Sequence, residues 1–236
     1  FYGGAWHTVL VGSLAGGGQG IFALDITNPS TFTQNVTNAQ SLVLWEFNDT
    51  DNAATTTSTD GDADLGATFS QPGVARVCTT RSSGVCTASK WVAIFGNGYN
   101  NTDADGSAST TGYAYLYVVD IENVNILKNF DTKAGSTTTP NCLAAPSLVD
   151  VDGDYYVDYV YAGDLQGNMW KFDLTGSIGS WGIAYGSSPS PDPLYQAKSP
   201  DGTVQPITTR PEVTLHPPGA GYLVLPGFVG YLAPSA

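Results

Sequence analysis

The chain has 236 residues, 42% of them hydrophobic and 11% aromatic, enough for one large β domain or two small domains and too apolar for a disordered tail. Its formal net charge of −13, from 21 acids against 8 bases, argues against a nucleic-acid partner and suits a secreted protein that binds divalent cations. Glycine (28) and proline (14) are abundant and charged residues scarce (12%), a composition of short strands joined by Gly, Pro, Asn and Asp turns.

The chain opens on Phe1, with no charged-then-apolar leader, and is expected to be a mature or trimmed fragment. No apolar run long enough for a transmembrane helix occurs. The first strand candidate, Val9 to Gly12, is followed by a glycine turn over 15–20 and a second strand, Gly20 to Ile26. Gly16-Gly-Gly18 lacks the Lys-Ser/Thr and the helix of a phosphate cradle, so its glycines are read as turn residues free to take positive φ. Leu42 to Phe47 supplies a third strand. An acidic, Thr/Ser-rich insertion over roughly 49–66 then carries Asp60, Asp62 and Asp64, expected to be a solvated loop.

Cys78 and Cys86 flank the turn-like Arg81-Ser-Ser-Gly84, a spacing that suits a disulfide closing a hairpin in an oxidising compartment. Cys142 is left over, either as a buried thiol or as a partner for a segment outside this chain. Between them the strand grammar recurs: Trp91 to Gly96, an insertion over 100–111 with Asp103 and Asp105, Gly112 to Ile121, then Ile126 to Phe130.

The segment Asp150-Val-Asp-Gly-Asp-Tyr-Tyr-Val-Asp158 carries the strongest chemical signal. Asp150, Asp152, Asp154 and Asp158 stand at loop positions 1, 3, 5 and 9 of a calcium-binding turn, and Tyr156 at position 7 would add its backbone carbonyl. Four acids so close repel one another unless a cation lies between them, and Ca²⁺, with six to eight hard oxygen ligands, fits best. The flanks are strand-like on both sides, so this is a turn between strands rather than a helix–loop–helix. Position 12 holds Tyr161 in place of a bidentate Glu, leaving water or a distant residue, with Asp164 a candidate, for any further ligand.

A third copy of the grammar follows: Tyr159 to Gly163, Gly167 to Leu174 and Trp181 to Tyr185, with a degenerate fourth over 207–232. In all three copies the second strand ends in Asp-Ile or Asp-Leu, at Asp25, Asp120 and Asp173, which are expected to accept hydrogen bonds from turn amides. Units of up to four antiparallel strands, repeated with variable loops, predict an all-β fold: a partial β-propeller of antiparallel four-stranded blades with long loop insertions. The whole of 1–236 is read as one propeller domain, a fragment of about three to four blades that needs the remainder of the ring to close.

Catalytic motifs are lacking. His7 and His216 lie in no G-x-S-x-G-like context. Gly167-Asn-Met-Trp-Lys-Phe-Asp173 is similar to the tryptophan-docking repeat of quinoprotein dehydrogenases, but neither vicinal cysteines nor a C-x-x-C-H haem motif accompanies it. The chain is therefore expected not to be an enzyme.

Trp6 to Leu14 with Gly16 to Asp25, Trp91 to Asn100, Asp150 to Asp173 and Gln205 to Val213 together resemble the C-terminal propeller of PilC/PilY-type type IV pilus tip proteins, in the right order over most of 4–232. The resemblance implies an extracellular adhesin domain at the pilus tip or outer cell surface. It also implies minor pilins as partners, an unidentified host or surface receptor, and a Ca²⁺ site that affects pilus extension and retraction. The family's calcium residues fall on Asp150, Asp152, Asp154 and Asp158, with the Tyr156 carbonyl. One departure stands out: loop position 6, usually Gly in the family, is Tyr155 here, and a tyrosine at positive φ costs about 1–2 kcal/mol. A structural, calcium-stabilised propeller and a quinoprotein-like dehydrogenase are the alternative readings.

Overall fold

The computed structural model describes residues 4–50, 61–102, 107–217, 219 and 221–227. Within them, strands β1 (Val9–Ser13), β2 (Gly20–Asp25) and β3 (Val43–Asn48) form one antiparallel sheet. Strands β4 (Gly73–Ser82), β5 (Val85–Gly96), β6 (Tyr113–Asp120) and β7 (Ile126–Gly135) form a second, in chain order. A third contains β8 (Ser147–Val149), β9 (Tyr159–Gly163), β10 (Asn168–Asp173) and β11 (Gly182–Ile183), with Tyr195–Gln196 also pairing β10. A last hairpin pairs Glu212–Leu215 with Tyr222–Leu225. The one α-helix among the described residues, α1 (Val36–Leu42), starts at Asn35, whose side chain accepts from the Asn38 amide.

These sequential antiparallel meanders are the propeller blades expected, and each unit of the repeat falls on three neighbouring strands: β1–β3, β5–β7 and β9–β11. Blades two and three carry an additional opening strand, β4 and β8. The sequence repeat passes over β4 because its residues are largely half-exposed and lack the apolar run of its neighbours. At three residues, β8 is too short to show a period.

Blade two is the middle layer of the packing. On β5, Val92 and Ile94 face blade three while Ala93 and Phe95 face blade one; on β6, Ala114, Leu116 and Val118 alternate in the same way with Tyr115, Tyr117 and Val119. Period-2 side-chain geometry thus makes one sheet contribute to two cores. Toward blade one, Phe47 packs against Phe95 (5.5 Å between ring centres) and Tyr117 (5.4 Å), and the Trp45 indole donates to the Ile121 carbonyl at 2.8 Å. Toward blade three, Phe130 meets Phe172 at 5.2 Å, and Trp170, Leu143, Val160 and Trp181 complete the layer. A third, smaller cluster of Tyr161, Met169, Ala197 and Ile207 covers the far face of blade three.

Close approach between blades explains Gly96, where an added Cβ would stand 2.1 Å from the Leu143 carbonyl oxygen. The three strand-ending aspartates behave alike, as expected. Asp25 accepts from the Thr27 amide, Asp120 from Glu122 and Asp173 from Thr175, each at 2.9 Å. The same two-residue-ahead bond in three blades is an Asx turn that redirects the chain after the second strand of each repeat. Trp170 joins this polar scaffold to the core, since its ring is buried between blades and its Nε1 donates to Asp164 at 2.8 Å. Replacing Trp170 with alanine should therefore lower stability by about 3–5 kcal/mol, read as a shift in the urea unfolding midpoint.

Candidate metal centre

The loop between β8 and β9 closes where the Asp158 amide donates to the Val149 carbonyl at 2.9 Å. Inside it the carboxylates organise the backbone. Asp150 accepts from the amides of Gly153 (2.7 Å) and Tyr155 (2.8 Å), Asp152 from Asp154 (3.0 Å), Asp154 from Tyr156 (2.9 Å), and Asp158 from Val151 (2.8 Å). Such Asx-type bonds wind the chain tightly enough to demand positive φ at two places, Gly153 (+80°) and Tyr155 (+67°). Tyr155 therefore adopts the left-handed conformation that its position in the loop requires, and the residue is 83% exposed, so little packing offsets the strain.

Asp150, Asp152 and Asp158 offer oxygens that all lie within 4.8 Å of one another. Two ligands across a Ca²⁺ ion, each at about 2.3–2.6 Å, stand about 4.6–5.2 Å apart, so three oxygens inside that span fit around one ion. The donor set is oxygen only, with neither imidazole nor thiolate, which matches a hard cation. Asp150 and Asp152 are exposed and Asp158 is buried, giving the group an open side and a fixed base. Burial pushes the Asp158 carboxyl above its ordinary range; the charges of Asp152 and Asp154 add to this, against the Val151 amide and the Arg81 guanidinium.

The other two expected ligands have further partners. Asp154 stands outside the three-carboxylate group, and its Oδ2 accepts from both Nη1 and Nη2 of Arg81 at 3.3 Å. Tyr156 turns its side chain toward β4: its hydroxyl accepts from Arg76 Nη2 at 3.2 Å, and the Arg76 guanidinium lies 4.7 Å from its ring centre. The Val157 amide donates to the Arg76 carbonyl at 2.9 Å. The acidic turn of blade three is thus moored to blade two through Arg76 and Arg81. Sequence reasoning passed over both arginines, which lie more than 70 positions from their partners. The available signal was their rarity: the chain has only 8 basic residues, and Arg81 sits inside the cysteine-bounded turn.

Asp164 is not a further ligand. It is fully buried and accepts from Asn141 Nδ2 (2.9 Å), Asn168 Nδ2 (2.9 Å), the Asn168 amide (2.9 Å) and Trp170 Nε1 (2.8 Å), which commits both its oxygens to the β9–β10 turn. The expectation of a solvated loop at Asp62 and Asp64 is also corrected. Asp64 accepts from the hydroxyls of Ser109 and Thr111, its carbonyl receives Asn97 and Asn101, and burial pushes the Asp62 carboxyl up. Asp60, Asp103 and Asp105 lie outside the described residues. Cys78 and Cys86 form the expected disulfide, while Cys142 is a buried free thiol whose pKa burial raises. His7 Nδ1 lies 2.7 Å from Asp25 Oδ2, at the edge of blade one.

A family model described as the PilY1 beta-propeller domain matches residues 1–235. The type IV pilus biogenesis factor PilY1 of Pseudomonas aeruginosa strain PAO1 is 35% identical over 244 aligned positions, covering 96% of this chain and 18% of that protein. A PilY1 homolog from Xylella fastidiosa strain Temecula1 is 36% identical over 240 positions, covering 98% of this chain and 14% of that protein. The crystal structure of the Pseudomonas aeruginosa PilY1 C-terminal domain superposes with a TM-score of 0.75 at 35% identity, over 99% of this chain and 43% of the solved one. The chain thus spans less than a fifth of the curated relatives' length and under half of the solved domain.

Relief of the one strained side chain in the acidic loop is directly measurable. Tyr155→Gly should raise stability by about 1 kcal/mol, seen as a higher urea midpoint with an unchanged slope.

Proposed function

The chain belongs to the PilY1 β-propeller family, and from that premise we propose that it is the calcium-binding propeller segment of a pilus-tip adhesin, acting by binding rather than by turnover. The observation that carries the reading is the convergence of Asp150, Asp152 and Asp158 on one turn between two blade strands. These three would hold the ion, with Asp154 and the Tyr156 carbonyl as the further ligands the loop spacing supplies. A bound Ca²⁺ would supply the positive charge that four neighbouring carboxylates lack.

The chain's own residues determine what that neutralisation does. Val157 and Asp158 belong both to the acidic loop and to the hydrogen bonds that join it to β4 and β8. Holding the acids together therefore holds the edge of blade three against blade two. In the absence of the ion, repulsion among the carboxylates loads that same edge, which is a physical basis for calcium-dependent control of pilus extension and retraction.

An extracellular place at the pilus tip agrees with the Cys78–Cys86 disulfide, which fits an oxidising compartment, and with the acidic composition. Among the described residues no helix is long and apolar enough to cross a membrane. Minor pilins at the tip are the proposed assembly partners, and attachment to a host or surface receptor is the proposed adhesive role. The remaining blades of the ring would complete the surface that meets them.

Calorimetric titration of the purified chain with Ca²⁺ tests this reading. Wild type should bind with measurable heat, and at a hundredfold excess over Kd its stability should rise by about 2.7 kcal/mol, seen as a higher melting temperature. Asp158→Ala should lose both responses. No heat, no melting shift, and a variant indistinguishable from wild type would end the calcium proposal.

A further inference from the structure

The β4–β5 hairpin extends beyond the body of blade two and delivers a cation to the acidic loop of blade three. Its tip, Ser83-Gly84, has positive φ at both residues (+51° and +81°), and the Cys78–Cys86 disulfide ties its two strands together. Pairing slips twice just before the tip, between Cys78 and Thr80 and between Thr80 and Arg81. Irregularities of this kind re-aim side chains along a strand. The Arg81 amide donates to Ser177 Oγ of blade three at 2.9 Å, so the backbone as well as the side chain is anchored across the blade boundary.

Arg81 is 15% exposed at its side chain, and its guanidinium reaches two loop carboxylates: both Nη atoms lie 3.3 Å from Asp154 Oδ2, and Nη2 lies 3.8 Å from Asp158 Oδ1. Its Nε is buried with no hydrogen-bond partner among the described residues. An arginine placed for hydrogen bonding alone would present its fork in-line and bidentate to a carboxylate. Here both Nη donors share one carboxylate oxygen, Nη1 makes only a further long bond of 3.4 Å to the Gly84 carbonyl of its own hairpin, and Nε is left without a partner. What the position delivers to the acidic loop is therefore chiefly charge. Arginine carries its charge permanently in proteins, so at this site only the position of the charge can vary.

We propose that Arg81 is a resident counter-cation of the acidic loop, held there by the disulfide-closed hairpin, and that it sets how much Ca²⁺ is needed to fill the site. The inference rests on the calcium reading above and adds a regulator to it. With four ionised carboxylates and one guanidinium the loop presents −4 + 1 = −3 rather than −4, and calcium affinity in loops of this kind is tuned by ligand charge. Arg81 also occupies Asp154 Oδ2, so an incoming ion must share Asp154 with it. Both effects act in the same direction: Arg81 steadies the loop while weakening calcium binding. Such weakening suits a module that meets calcium outside the cell, where sites operate in about the 10⁻⁴–10⁻³ M range.

Calcium titrations of the folded wild-type chain, R81Q and R81K at one ionic strength separate the possibilities. R81Q should bind Ca²⁺ on the order of tenfold more tightly and melt at lower temperature without calcium, while R81K, which keeps the charge, should stay within about twofold of wild type. An R81Q chain that binds with equal or weaker affinity would overturn the inference, because a merely structural arginine predicts loss of the site on its removal. Tightening of equal size in R81K would overturn it too. Should R81Q fail to fold, the Cys78→Ser/Cys86→Ser pair, which keeps Arg81 but opens the hairpin, decides: tighter binding supports the inference, and unchanged or weaker binding rejects it. A wild-type chain that takes up no calcium would remove the calcium reading itself, whereas calcium binding in wild type with no gain in R81Q removes only the role of Arg81.

Discussion

A β-sheet that is apolar on both faces must be covered twice, and that constraint governs this molecule. Blade two offers Val92, Ile94, Leu116 and Val118 to one neighbour and Phe95, Tyr115, Tyr117 and Val119 to the other, so it is stable only as a middle layer. Everything of functional interest hangs on one of the two boundaries this creates. The acidic loop lies at the edge of blade three, but two of its fixed points, the carbonyl of Arg76 and the guanidinium of Arg81, belong to blade two. A change in the loop is therefore a change at the boundary between blades.

The electrostatics of that boundary are unusual for so acidic a chain. Many of its carboxylates are given ordinary structural work: Asp25, Asp120 and Asp173 turn the chain, and Asp164 gathers four donors at the β9–β10 turn. Asp150, Asp152, Asp154 and Asp158 also accept backbone amides, yet these bonds leave their charges concentrated in one short turn. The guanidinium of Arg81, mostly shielded from solvent, stands against them. The arrangement has room for one more cation, and the open side formed by Asp150 and Asp152 is where it would enter.

The legibility of this architecture in the sequence divides along physical lines. The three strands common to each blade were readable because period-2 apolar runs end in a glycine turn or an Asx turn, both local signals. The β4 strand was not, since it is largely half-exposed, and β8, legible as the strand-like flank before the acidic loop, is too short at three residues to show as part of the repeat. The acidic loop was readable because its spacing is local, but the spacing left open whether Tyr155 would take positive φ or the loop would turn differently, and the structure places it at +67°. Asp164 was open to misreading because nothing in sequence tells which oxygens Asn141, Asn168 and Trp170 will claim. Arg81 was beyond reach for a similar reason: its contact with Asp154 spans 73 positions and exists only once the blades pack. Chemistry written in residue spacing was legible, and side-chain partnerships made only on folding, whether within a blade or between blades, were not.

The central claim is that the β8–β9 turn is a hard-cation site, and a crystal structure of the chain grown with Ca²⁺, with anomalous differences recorded, tests it most directly. The account predicts one strong peak on that turn, with carboxylate oxygens of Asp150, Asp152 and Asp158 at about 2.3–2.6 Å. A turn with no peak at saturating calcium, or an ion bound instead around Asp62 and Asp64, would contradict it.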